Sequence, residues 1–224
     1  MANNPLRKPN KWFYSFAAWL LSLFCLPVYR VKVQGRENIP QTGPVLICSN
    51  HVAVKDPILL GVAQKRQIFY MAKEELFKNR FVAWILRGLG AFPVKRGSGG
   101  ADALEEGERI LKENGMVGIF IEGTRSKTGE LLRPKTGAAY LVYRTGATVV
   151  PTCIVGQSGK APLKFQKTIV TFGKPIPAEE LNISDESSLQ MRRASRKIME
   201  PIAVMLKASR KELGLPEVLP VSDS

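Results

Sequence analysis

The chain is poor in histidine, cysteine and acid. Among its 224 residues there is one histidine, His51, so any imidazole chemistry rests on that single position. Its three cysteines, Cys25, Cys48 and Cys153, lie far apart, each in an apolar run, and form no C-x-x-C. An odd, scattered set fits reduced, buried thiols on the cytoplasmic side of a membrane better than a disulfide framework or a zinc site. Asp and Glu number 19 against 33 Lys and Arg, a formal net charge of +14. The preferred partners are therefore anionic: a phospholipid surface, nucleic acid, or phosphorylated or carrier-bound metabolites. There is no G-x-S-x-G elbow, which counts against a serine hydrolase, and no internal repeat or low-complexity tract. What remains is 45% apolar, too much for a disordered chain. The length suits one substantial core with attachments rather than two large domains.

The least polar stretch is Trp12 to Val28, flanked by Arg7, Lys8 and Lys11 before it and by Arg30 and Lys32 after it. As a helix it would reach roughly 25 Å against a hydrocarbon core of about 30 Å, so a thin or tilted span and an interfacial anchor are both open. No small-x-small cleavage site follows, and Phe24 before Cys25 spoils a lipoprotein-type processing site, so the segment is expected to stay attached. Its aromatic start, Trp12, Phe13 and Tyr14, with Trp19 further on, favours a helix lying in one leaflet. We expect residues 1–28 to form a membrane-attachment helix, 29–214 the globular domain and 215–224 a loose tail.

Beyond Pro27, Val31-Lys32-Val33 reads as a short strand and Val45 to Cys48 as a buried one. A helix begins near Pro57. Leu76, Phe77, Phe81, Trp84 and Ile85 then have helical spacing and end at Gly88-Leu89-Gly90. An extended piece at Ala91 to Val94 precedes a helix from about Ala101 to Asn114 and a strand from Met116 to Ile121. Thr136 reads as the cap of a helix closed near Gly146. Thr148 to Val155 and Thr168 to Phe172 read as strands, and the last helix as Glu186 to Leu213. Such alternation predicts an α/β fold, a single mostly parallel sheet covered by helices on both faces. Ligands of such sheets collect at the carboxyl ends of the strands.

His51 stands at such an end, five residues before Asp56. On a regular helix that spacing puts the two about 140° apart, so the pair needs a bend between them. Asp56-Pro57 has the form of a helix cap followed by proline at the first helical position, which supplies one. Asp56 would then fix the imidazole tautomer and leave the other ring nitrogen to take a proton from a substrate hydroxyl. Three further segments read as loops at strand ends: Gly90 to Arg96, Ile121 to Ser126, and Val149-Val150-Pro151. The second joins a glycine turn to a hydroxyl and a guanidinium, which is what a phosphate site requires. Arg96 and Lys135 add charge to it.

In this order the segments resemble the four sequence blocks of the glycerolipid acyltransferases: H-x-x-x-x-D at His51 to Asp56, a G-x-F-x-x-x-R-like block at Gly90 to Arg96, E-G-T-R-S at Glu122 to Ser126, and V-P at Val150-Pro151. The middle block often has fewer residues between Phe and Arg, so the phosphate-facing cation lies between Lys95 and Arg96, with Arg96 favoured. The resemblance implies direct acyl transfer from acyl-CoA or acyl-carrier protein to lysophosphatidic acid, with no cofactor and no metal. His51, oriented by Asp56, would be the base; Arg96, Gly123, Thr124, Arg125 and Lys135 would hold the glycerol phosphate, with Glu122 shaping the loop. A thioester is already activated, so a base and positioning suffice. Cys48, inside an apolar strand, reads as core rather than nucleophile. The alternatives are another lysophospholipid acceptor, a thioester hydrolase using the same pair, and a non-enzymatic basic protein; no nucleic-acid motif supports the last. The expected location is the cytoplasmic face of a membrane.

Overall fold

A computed structural model describes residues 11–94 and 100–217. Helix α1 (Lys11–Val28) leads into strand β1 (Val31–Gln34), β2 (Val45–Ser49), α2 (Asp56–Val62) and β3 (Ile68–Lys73). There follow α3 (Arg80–Gly88), β4 (Ala91–Val94), α4 (Ala101–Lys112), β5 (Met116–Phe120), α5 (Gly137–Thr145), β6 (Thr148–Gly156), β7 (Thr168–Phe172) and α6 (Ser188–Glu212). The strands form one seven-stranded sheet in the order β1-β7-β6-β2-β5-β3-β4. All neighbours run parallel except β6 and β7.

The central strands are buried on both sides, as a sheet with two covered faces demands. Every residue of β2 is buried. Leu46 and Cys48 join the core that Ile110 and Leu111 of α4, Ala138 and Leu141 of α5, and Ile198, Ile202 and Leu206 of α6 build on one face. Val45 and Ile47 point the other way, into a core with Leu60 of α2, Ala63 just beyond it, Tyr70, Val150 and Phe172. The basic residues of α6 thus sit on a helix that packs on the sheet.

Two expectations about the chain's course are corrected. Ile68–Lys73 is strand β3, between β5 and β4, where the sequence reading placed no element. The stripe from Leu76 to Ile85 is two pieces, a short 3-10 turn at Glu74–Phe77 and α3, because the Asn79 side chain accepts hydrogen bonds from the Phe81 and Val82 amides and starts a new helix. No helix among the described residues is long and apolar enough to cross a membrane. Helix α1 lies beside α2 and β1. Its Tyr14 is buried, and its Phe13 packs on Gly88 and against Trp84 of α3, with ring centroids 4.9 Å apart. At the other end Leu215 donates to the Arg210 carbonyl, and the Arg210 guanidinium donates to Pro216, tying the start of the expected loose tail to α6.

Candidate active site

The site forms where β2 and β5, paired in register with Ser49 opposite Phe120, both end. Beyond Ser49 the buried Asn50 prolongs the sheet with its side chain: it accepts from the Ile154 amide at 2.8 Å and donates to the Ile154 carbonyl at 3.0 Å. The chain then leaves the sheet, residues 50–53 adopt no regular element, and α2 starts at Asp56. The bend that the His51-to-Asp56 spacing demands is therefore present.

Asp56 does not cap its helix in the way the sequence suggested. It is the first helical residue, Lys55 holds the cap position, and no side-chain cap bond forms. Its carboxylate instead reaches back over the bend. Oδ2 accepts from the Val52 and Ala53 amides, each at 2.7 Å, and lies 2.8 Å from His51 Nδ1. The carboxylate is fully buried, and the imidazole is mostly so. Three donors converging on one oxygen fix the carboxylate, and with Nδ1 engaged, Nε2 is the ring nitrogen available to a substrate.

The E-G-T-R-S segment closes round the same residue. Glu122, 1% exposed, accepts from the His51 amide at 3.0 Å and from the Leu132 amide at 2.8 Å. Burial pushes its carboxyl up from the ordinary 4.5, against the pull of those two amides. Ser126 donates its amide to the His51 carbonyl, and its hydroxyl accepts from the Gly129 amide. Gly123 turns with φ 69°, a conformation L side chains rarely adopt, and Lys135 lies along it, its amide bonded to the Ile121 carbonyl. Gly123, Thr124, Arg125 and Lys135 are exposed.

Arg96 lies outside the described residues, as does Lys95. Val150-Pro151 is not a loop but the interior of β6, with the Pro151 carbonyl accepting from Gly173. Cys48 and Cys153 are fully buried, and burial pushes both thiols above the ordinary range, which disfavours the thiolate a nucleophile needs. Cys25 is half-buried rather than enclosed. No cluster of metal-ligating side chains occurs among the described residues. Sequence reasoning missed Phe120, whose ring stacks on the imidazole with centroids 3.9 Å apart and planes 14° apart. Only the strand register would have revealed it.

Fold and pair define a class, α/β proteins that hold an imidazole and a buried carboxylate at the carboxyl ends of parallel strands. The chain belongs to the acyltransferase family: a family model described as Acyltransferase matches residues 30–155, more than half its length. It is 36% identical over 165 residues to the 1-acyl-sn-glycerol-3-phosphate acyltransferase of Bacillus subtilis, covering 73% of this chain and 82% of that protein. The chloroplastic 1-acyl-sn-glycerol-3-phosphate acyltransferase LPAT1 of Arabidopsis thaliana is 32% identical over 76% of this chain and 51% of its own. The crystal structure of the 1-acyl-sn-glycerophosphate acyltransferase PlsC from Thermotoga maritima superposes with a TM-score of 0.69 and 24% identity, covering 91% of this chain and 82% of that one. The two share the fold.

Proposed function

We propose that the enzyme transfers a fatty acyl group from the thioester of acyl-CoA or acyl-carrier protein to the free hydroxyl of lysophosphatidic acid, giving phosphatidic acid. The observation that carries the reading is the 2.8 Å contact of His51 Nδ1 with a carboxylate already anchored by two amides. His51 Nε2 takes the hydroxyl proton as the oxygen attacks the thioester carbonyl. The C–S bond then breaks, and the departing sulfur collects the proton from the imidazolium and leaves as a thiol. No acyl-enzyme forms. Gly123, Thr124, Arg125, Lys135 and Arg96 hold the phosphate, and Glu122 sets the loop that carries them. No cofactor is needed.

The acceptor is itself a lipid, so the enzyme works at a membrane surface, and its scattered free cysteines suit the cytoplasmic face. Trp12, Phe16, Trp19, Leu23 and Phe24 of α1 are exposed, and Phe81 and Trp84 of α3 continue that apolar surface through the Phe13 contact. Trp and Phe in such numbers suit the headgroup boundary.

Purified protein given both donor types and a panel of lysolipids, with products read by mass, tests the reading. The expected product is phosphatidic acid, and His51→Ala should lower its rate by roughly 10²- to 10⁴-fold with the circular dichroism unchanged. Full activity in that variant sinks the mechanism. Fatty-acid release unaffected by the acceptor would make the enzyme a hydrolase instead.

A further inference from the structure

We infer that Phe120 is a positioning residue for the reaction: its ring is the platform that orients His51 and stabilises the imidazolium formed during acyl transfer. This rests on His51 being the base. The Asp56 bond fixes one edge of the imidazole, and the ring can still rock about its own Cβ–Cγ bond. A flat neighbour 3.9 Å away and 14° from parallel removes that freedom. When the imidazole takes the substrate proton it becomes a cation lying on an aromatic face, the arrangement in which the ring quadrupole attracts positive charge.

Phe120 is itself held. Its strand register with Ser49 delivers it beside the end of β2, and the amide of the next residue, Ile121, donates to the Ser49 carbonyl at 3.1 Å. Behind it stands Tyr70 of β3, with centroids 5.9 Å apart and planes 17° apart. Tyr70 can lie there only because the residue beneath it is Gly118: a Cβ at that position would come within 2.1 Å of the tyrosine ring. Three rings from three sites in the sequence thus form one stack that ends on the base. Phe120 is half-buried and Tyr70 buried, so the stack is partly shielded from water, where such an interaction is strongest.

The single histidine makes the test direct, since every imidazole proton signal belongs to His51. In the full-length native protein these signals should be displaced upfield by the Phe120 ring, and Phe120→Met should move them back. Methionine keeps the volume and apolar character, so the fold is retained; Phe120→Tyr keeps the aromatic face. The expected kinetics are a roughly tenfold fall in kcat for Phe120→Met with KM for donor and acceptor unchanged, and near-native kcat for Phe120→Tyr. Native imidazole signals without upfield displacement overturn the proposal whatever the variants do. So does native kcat in Phe120→Met once the signals have moved, a loss confined to KM, or an equal loss in Phe120→Tyr. His51→Ala is the control: if it remains active the base assignment fails, whereas an inactive His51→Ala beside a fully active Phe120→Met refutes the platform alone.

Discussion

Glu122 shows how a buried carboxyl is kept to hold a loop. Its two oxygens satisfy the amides of His51 and Leu132, residues 71 and 10 positions away, so one side chain fixes the base's backbone and the far end of the E-G-T-R-S loop. An amide cannot replace it, because a glutamine has one acceptor oxygen and would turn an NH2 toward the other amide. Glu122→Gln should therefore cost about 1–3 kcal/mol, the typical penalty for a buried donor without a partner. The cost should also depend on pH. Because burial raises the carboxyl above 4.5 in the folded protein, the folded state binds that proton more tightly than the unfolded one. Native stability from this group is then present below the unfolded value and declines as pH rises through the folded one. The gap between native protein and Glu122→Gln should narrow as pH rises above 4.5, read from urea unfolding at each pH. A gap that stays constant across that range would mean burial does not govern the carboxyl.

At the level of elements, Gly118 is a position near the site where one methyl group should be costly. A Cβ there would meet the ring of Tyr70 at 2.1 Å, in a core that has no slack. Gly118→Ala should destabilise the protein by about 1–3 kcal/mol and tilt the Tyr70 ring, which Tm and near-ultraviolet circular dichroism would register; an unchanged Tm would mean that β3 and β5 separate easily. The same strands explain which parts of the fold were legible. β2, β5, β6 and β7 announce themselves as continuous apolar, β-branched runs, the signature of strands covered on both faces. β3 does not, since Ile68–Lys73 mixes Met, Ala and Lys and follows a helix closely; its pairing with β5 and β4, not its composition, makes it a strand. The His51 and Asp56 pair could be read from spacing and the Asp-Pro turn. The reversal of the Asp56 side chain could not, because a D-P step looks the same whether the carboxylate caps its own helix or reaches back. Nor could the Phe120 stack, since 69 residues of chain separate it from His51 and only register brings the rings together.

At the scale of the whole molecule, the proposed function calls for charge and apolar surface to combine in docking the enzyme on its substrate's own bilayer. A net charge of +14 draws the protein to anionic lipid over distances set by the Debye length, about 8 Å at physiological salt. Charge alone would leave it reversible by salt and without a fixed orientation. The exposed aromatic residues of α1 and α3 supply the second attachment, which salt does not weaken, and α1 lies against α2, the helix that begins at Asp56. On the proposed function, orientation at the membrane and orientation of the base would share one pair of helices. The chain has three tryptophans, Trp12 and Trp19 on α1 and Trp84 on α3, so each helix can be followed separately. In a Trp12→Phe, Trp19→Phe variant, Trp84 is the sole indole, and vesicles of anionic lipid with brominated acyl chains should quench its fluorescence. Raising salt to 0.5 M should weaken binding to anionic vesicles without abolishing it, because the apolar contact persists. Trp84→Glu should lower partitioning by roughly tenfold, the cost of placing a carboxylate where an indole met lipid. Trp84 that stays unquenched on fully bound protein would confine the attachment to α1 and leave α3 facing water.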